Sequence, residues 1–194
     1  MKNPELKDIK AAYEVADENG KKMLRALYPD VFTTATADNR PVIERIKTFE
    51  DACNVLGNHP LVNHYRYIVE EAEKQMDETG ADIVAFLQLR IIAAALNEGW
   101  TPDWGNKDQR KWYPWFYILT EQEYNDLDEE EKCRVVGRAS YNANAYGGLV
   151  YAYAYNVSSY SHTHSGSRLA FKSKELAEYC ANQFGEVWAK FHIS

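Results

Sequence analysis

Apolar positions recur along this chain with two different periods, and the change of period divides it. From Pro4 to Tyr28, Leu6, Ile9, Tyr13, Met23, Leu24 and Leu27 fall at helical spacing, with Asn19-Gly20 as the expected break between two helices. After the polar stretch Thr33 to Asn39, Pro41 introduces Val42-Ile43, which reads as a short strand or turn. Thr48 then places a hydroxyl at an N-cap with the Asp51 carboxylate three residues on, and Gly57 follows Leu56 where a left-handed C-cap belongs. Pro60 suits the first turn of the next helix, in which Leu61, Tyr65, Ile68, Val69, Ala72 and Met76 oppose Glu70, Glu71, Glu73 and Lys74. Ala81 to Asn97 is apolar nearly all round, so it is the expected central, buried helix.

Past Gly99 the helical period stops. Trp100, Trp104, Trp112, Tyr113, Trp115, Phe116 and Tyr117 cluster among Pro102, Gly105 and Pro114, which predicts a structured loop leading into a strand near Trp115 to Leu119. The acidic stretch from Thr120 predicts one or two short helical turns. Period-two segments at Arg134 to Asn144 and Leu149 to Asn156, separated by Ala145 to Gly148, predict a β-hairpin. Val157 to Ser167 reads as a Ser-rich loop and Arg168 to Lys172 as a short strand. Ser173 caps a last helix with the stripe Leu176, Cys180, Phe184, Val187, Trp188 and Phe191. The expected fold is one α+β domain over 1–194: a helical region to about 99, an aromatic loop and small antiparallel sheet to about 172, and a closing helix over 173–192.

Composition narrows the function classes. With 194 residues, 45% hydrophobic and 13% aromatic, the chain can build a core and carries no low-complexity signature. The most apolar stretch, Ile83 to Leu96, is broken by Gln88 and Arg90, so no membrane span is expected. The first residues lack a basic region followed by an apolar one, which reads as an intracellular protein. Cys53, Cys133 and Cys180 are odd in number and far apart, and suggest neither a disulfide framework nor a zinc knuckle. The net charge of −7 opposes a general nucleic-acid coat. It is unevenly spread: Glu121 to Glu131 holds seven carboxylates, whereas Lys132 to Lys174 holds none but carries Lys132, Arg134, Arg138, Arg168, Lys172 and Lys174.

Four groups of residues occur together in a recognisable way. They are Ala11-Ala12-Tyr13-Glu14 with Leu24-Arg25-Ala26-Leu27; Lys47-Thr48-Phe49-Glu50-Asp51-Ala52-Cys53 with Leu56-Gly57; Ala95-Leu96-Asn97-Glu98-Gly99-Trp100-Thr101-Pro102-Asp103-Trp104 with Tyr113-Pro114-Trp115-Phe116; and Gly166-Ser167-Arg168-Leu169-Ala170-Phe171-Lys172-Ser173 with Glu175-Leu176-Ala177-Glu178-Tyr179. With these the chain resembles a family of uncharacterised proteins of tailed phages and prophages of gut Bacteroidetes. The resemblance implies a phage origin, and with it the cytoplasm of an infected bacterial host or the virion. It carries over no activity, cofactor or catalytic residue. Tyr141 to Ser165 is the part least like the family.

The candidate chemistry lies in the tyrosine-rich strand. Alternation puts Tyr151, Tyr153 and Tyr155 on one face and Val150, Ala152 and Ala154 on the other. Such a face could stack nucleobases while Arg138, Arg168 or Lys172 meets phosphates; the plain alternative is packing on neighbours or on a second subunit. Trp104 and Trp112 could wall a pocket whose polar contacts come from Asp103, Asn106, Lys107, Gln109 and Arg110, or simply hold the irregular segment on the core. His162 and His164 lie two apart, but no third metal ligand can be named, so no metal or other cofactor is expected. There is no nucleophile elbow, Walker loop or Rossmann fingerprint. The helices around Gly57 match a helix-turn-helix in outline, but Glu70, Glu71 and Glu73 would repel phosphates. The chain therefore reads as a binding protein rather than an enzyme, with a nucleotide or other phosphorylated small ligand as partner. The alternative is a virion or assembly protein whose aromatic surface is an oligomer interface.

Overall fold

A computed structural model describes residues 6–28, 40–75, 80–138, 147–157 and 167–193. The chain divides into two compact units, 1–40 and 41–194. The expected helical region is split by this division, with its first two helices in the smaller unit.

The smaller unit holds α1 (Leu6–Val15) and α2 (Glu18–Leu27). The break falls before the expected Asn19-Gly20, because Asp17 is the N-cap: its side chain accepts from the Gly20 amide at 2.7 Å and so draws Gly20 into the first helical turn.

The larger unit opens with α3 (Val42–Arg45), one helical turn after Pro41 where a strand or turn was expected. Next comes α4 (Phe49–Leu56), with both ends as the sequence signs them: Thr48 and Asp51 form a reciprocal capping box, and Gly57 ends the helix at φ 57°. After α5 (Pro60–Gln75), α6 (Ala81–Asn97) is the central helix. Leu89, Ile91, Ile92 and Leu96 on it are fully buried, and α4, α5 and the C-terminal helices pack around it. The end of α6 is tied down by a buried amide. Asn97 donates from Nδ2 to the Ala170 carbonyl at 2.8 Å and accepts the Lys172 amide at 3.0 Å.

Strand β1 (Lys111–Leu119) starts four residues earlier than expected and runs through Pro114. Trp112 exchanges both backbone hydrogen bonds with Phe171, on the edge away from β2. Pro114 shares that parity, so its missing N–H removes nothing from the ladder to β2. The acidic stretch forms α7 (Glu121–Asp126) and α8 (Glu129–Lys132), each opened by a capping box, from Thr120 with Glu123 and from Asp128 with Glu131. Strand β2 (Gly148–Val157) ladders antiparallel with β1, whereas 134–144 was the expected hairpin partner. Of that expected hairpin partner, 139–144 lies outside the described residues, and the described part contributes one bridge, Val136 to Leu149. The expected strand at 168–172 is instead a 3-10 turn, Ser167–Leu169, followed by the single bridge at Phe171.

The closing helix is two helices, α9 (Lys174–Gln183), capped by Ser173 as expected, and α10 (Gly185–Ile193). Val136 packs at the break between Phe184 and Gly185, where a Cβ on Gly185 would stand in ordinary contact with its Cγ1, at 3.4 Å. Both helices pack on the sheet and on α6, so the described part of the chain is an α+β fold with helices on one sheet face. Among the described residues no helix is long and apolar enough to cross a membrane.

Candidate binding surface

A β-bulge decides which tyrosines share a face. Across the ladder Trp115 pairs with Tyr153 and Phe116 with Tyr151, which leaves Ala152 without a partner. Trp115 and Phe116 are adjacent and point to opposite faces, so their partners do too. Tyr151 therefore departs from the face it was expected to share with Tyr153 and Tyr155. It turns to the covered side, where its ring meets Phe116 and its hydroxyl donates to Glu178 Oε1 at 3.3 Å. Burial, with the Glu178 charge second, raises the Tyr151 phenol far above the usual range. Phe116 continues inward onto Trp188, with ring centroids 5.2 Å apart.

The other face is aromatic and partly open. Trp115 stacks on Tyr153 at 5.9 Å with planes 12° apart. Tyr153, Tyr155 and Tyr117 are 45%, 44% and 56% exposed. At the start of β1 this face is closed by the loop after α6: Tyr113 is buried with Ala170 against Trp100 and Trp104. Its hydroxyl has no hydrogen-bond partner among the described residues, and burial pushes it up to about 12.

Trp104 and Trp112 do not face one pocket. Trp112 packs into the main core. Trp104 takes part in the loop instead, its ring 5.5 Å from the ammonium of Lys111. Lys111 is fully buried and donates to the carbonyls of Asn106 at 2.9 Å and Gln109 at 2.6 Å. Around this cation the side chains of Asp103, Asn106 and Gln109 accept from the loop's own amides, so three of the expected pocket contacts serve the loop.

The expected phosphate contacts are scattered. Arg138 lies by the Gly148 end of β2, with its guanidinium 3.6 Å over the Tyr124 ring. Lys172 is at the opposite end, paired with Glu98 Oε2 at 2.8 Å, and Arg45 takes the other Glu98 oxygen. The Lys172 hydrogen bond, ahead of the Arg45 charge, holds the Glu98 carboxyl below its usual range. Arg168, exposed on the 3-10 turn, has no carboxylate partner among the described residues. Its charge reaches Arg90 of α6, whose guanidinium lies 5.9 Å from the Phe86 ring; burial first and Arg168 second lower the Arg90 group.

Trp115 and Tyr117 went unassigned by sequence reasoning, although both were legible in the alternation from Tyr113 to Tyr117. His162 and His164 lie outside the described residues, and among those described no group of three acidic, His or Cys side chains could hold a metal. Cys180 is buried, which pushes its thiol up to about 12, and burial also raises Cys53; both serve as small core hydrophobes. The chain matches no family model, no curated protein and no solved structure.

Proposed function

We propose that this protein acts by binding, and that the open aromatic face of the strand pair, Trp115, Tyr117, Tyr153 and Tyr155, receives a planar ligand, a nucleotide in its sharpest form. The observation that carries this reading is the stacked pair Trp115 and Tyr153, held in place by a ladder and partly open to solvent. A pair of fixed rings offers π surface to a base at little entropic cost, about 1–3 kcal/mol per stacked base. A phage-borne module of this kind would sequester a host signalling nucleotide. Native mass spectrometry of the purified protein, before and after denaturation, with the released small molecules read near 260 nm, tests it. A retained nucleotide that is lost in Tyr153→Ala supports the reading; a clean apo protein that binds no nucleotide in calorimetry overturns it.

A second reading is favoured by the breadth of the exposed aromatic face, on which Tyr117, Tyr153 and Tyr155 are 56%, 45% and 44% exposed. Tyrosine is enriched at protein interfaces as well as suited to stacking on a base. Under that reading the face is an assembly or oligomer contact, and Tyr153→Ala lowers the native mass instead of releasing a ligand.

A further inference from the structure

Among the described residues two buried side-chain polar atoms lack a hydrogen bond, the Tyr113 hydroxyl and Trp188 Nε1. The indole of Trp188 stands beside the Cys180 thiol, a soft acceptor, so its donor is not idle. No polar group of the described residues answers the Tyr113 hydroxyl, although the residue is only 2% exposed. Its place on the sheet is informative. The register sets Lys111 with Val157, Tyr113 with Tyr155 and Trp115 with Tyr153 as successive rows of one face, about 6.5 Å apart. The row of Trp115 and Tyr153 is the stacked, partly open one. The next row passes beneath the loop after α6, where Trp100 and Trp104 cover Tyr113. The aromatic face therefore continues under that loop and meets an unanswered hydroxyl there.

The covering loop is built as one body. Among the described residues the hydrogen bonds of 101–109 all close within 101–111: Gln109 Oε1 accepts the Asp103 amide, Asp103 Oδ1 that of Gly105, and Asn106 Oδ1 those of Asp108 and Gln109, while Lys111 donates to the Asn106 and Gln109 carbonyls. Its hold on Tyr113 is ring packing. At its start lies a joint. Asn97 is anchored to Ala170 and Lys172, and Glu98 to Arg45 and Lys172, after which Gly99 turns the chain at φ 83°. A buried hydroxyl without a partner is destabilising until something supplies one. A phenol both donates and accepts, and Lys111, the charged member of these rows, is already spent on loop carbonyls. The ligand that suits this end of the face is therefore a neutral planar heterocycle with donors and acceptors on its edge, as a nucleobase has. We propose that the 100–110 loop is a lid that lifts at Gly99, and that the Tyr113 hydroxyl beneath it reads the hydrogen-bonding edge of the planar ligand. The proposal rests on the reading of this face as the seat of a planar ligand, and assigns the residue that makes it selective.

The test is an NMR titration of the full chain, read on backbone amides, with the four ribonucleoside monophosphates and with two neutral planar heterocycles, nicotinamide and uracil. The expected result is saturation by at least one probe, with the signals of 100–110 and of Tyr153 moving together, and binding about tenfold or more weaker in Tyr113→Phe. That variant keeps the ring and removes only the unanswered oxygen, so it folds. It is expected to resist urea better while binding less well, whereas a purely structural role moves stability and leaves affinity unchanged. No saturation by any probe up to about 10 mM, stationary 100–110 signals, or equal binding by Tyr113→Phe overturns the proposal. In the last case the hydroxyl holds no more than a buried water. Failure of the nucleotide reading is a separate outcome. Nicotinamide or uracil bound through Tyr113, with no nucleotide bound, sinks that reading and upholds the lid and its hydroxyl. A nucleotide bound equally well by Tyr113→Phe and lost in Tyr153→Ala does the reverse.

Discussion

Tyr113 is buried against Trp100, Trp104 and Ala170, with its hydroxyl unpartnered among the described residues. A buried polar group without a hydrogen bond costs roughly 1–3 kcal/mol, which its ring must outweigh by packing. Tyr113→Phe keeps the ring and removes the cost, so its unfolding free energy in urea at neutral pH is expected to rise by about 1 kcal/mol. Lys111 is the opposite case. Its buried ammonium is well satisfied, by two loop carbonyls and the Trp104 ring, and it organises the segment between Thr101 and Arg110. In Lys111→Met the stem still fits, but the loop loses its centre. Amide hydrogen exchange in 103–110 is expected to speed up by about tenfold or more while the β1 and β2 ladder keeps its protection. Equal protection throughout would show that the loop is held by its own side chains.

At the scale of elements, what was legible in the sequence was local. The Thr48 and Ser173 caps, the Gly57 stop and the buried α6 are each decided within a few residues, by groups that meet along one helix. Pairing is decided at a distance. Residues 134–138 and β1 both offered strand-like sequence to β2, and nothing in the period of either says which will ladder with it. The bulge at Ala152, which parts Tyr151 from Tyr153, likewise depends on the partner strand. Glycines record these approaches most directly. A Cβ on Gly137 would lie 2.5 Å from the Ala189 Cβ on α10, and the residue holds φ +71°. Gly137→Ala is therefore strained in both backbone and packing, and is expected to cost about 2–4 kcal/mol in urea unfolding. A loss below about 0.5 kcal/mol would mean that 134–138 moves freely off α10.

For the larger unit as a whole, the pH dependence of stability follows from groups that join distant segments. Glu98 links α3, the end of α6 and the approach to α9 through Arg45 and Lys172, and its carboxyl is held below the usual range. A carboxyl with a lower folded than unfolded pKa contributes stability above its unfolded pKa of about 4.3 and loses it as the pH falls through the folded value. Capping carboxylates at Asp51, Glu123 and Glu175 are lowered by their hydroxyl and amide partners, and act in the same direction. The alkaline side has the opposite origin. Tyr113 ionises near about 12 when folded, because of burial, and near about 10 when unfolded, so above pH 10 the unfolded chain gives up a proton that the folded chain keeps. Stability then falls as the pH rises, and Tyr151, raised by burial and Glu178, adds to the fall. The expected profile is a plateau between about pH 5 and 10 with a decline on each side. Glu98→Gln is expected to flatten the acid limb between about pH 5 and 3 and leave the alkaline limb unchanged, while Tyr113→Phe softens only the alkaline limb. Urea midpoints measured from pH 3 to 11 decide this. An acid limb identical in Glu98→Gln and the native chain would place the acid sensitivity in the helix caps, and remove Glu98 as the link between the three segments.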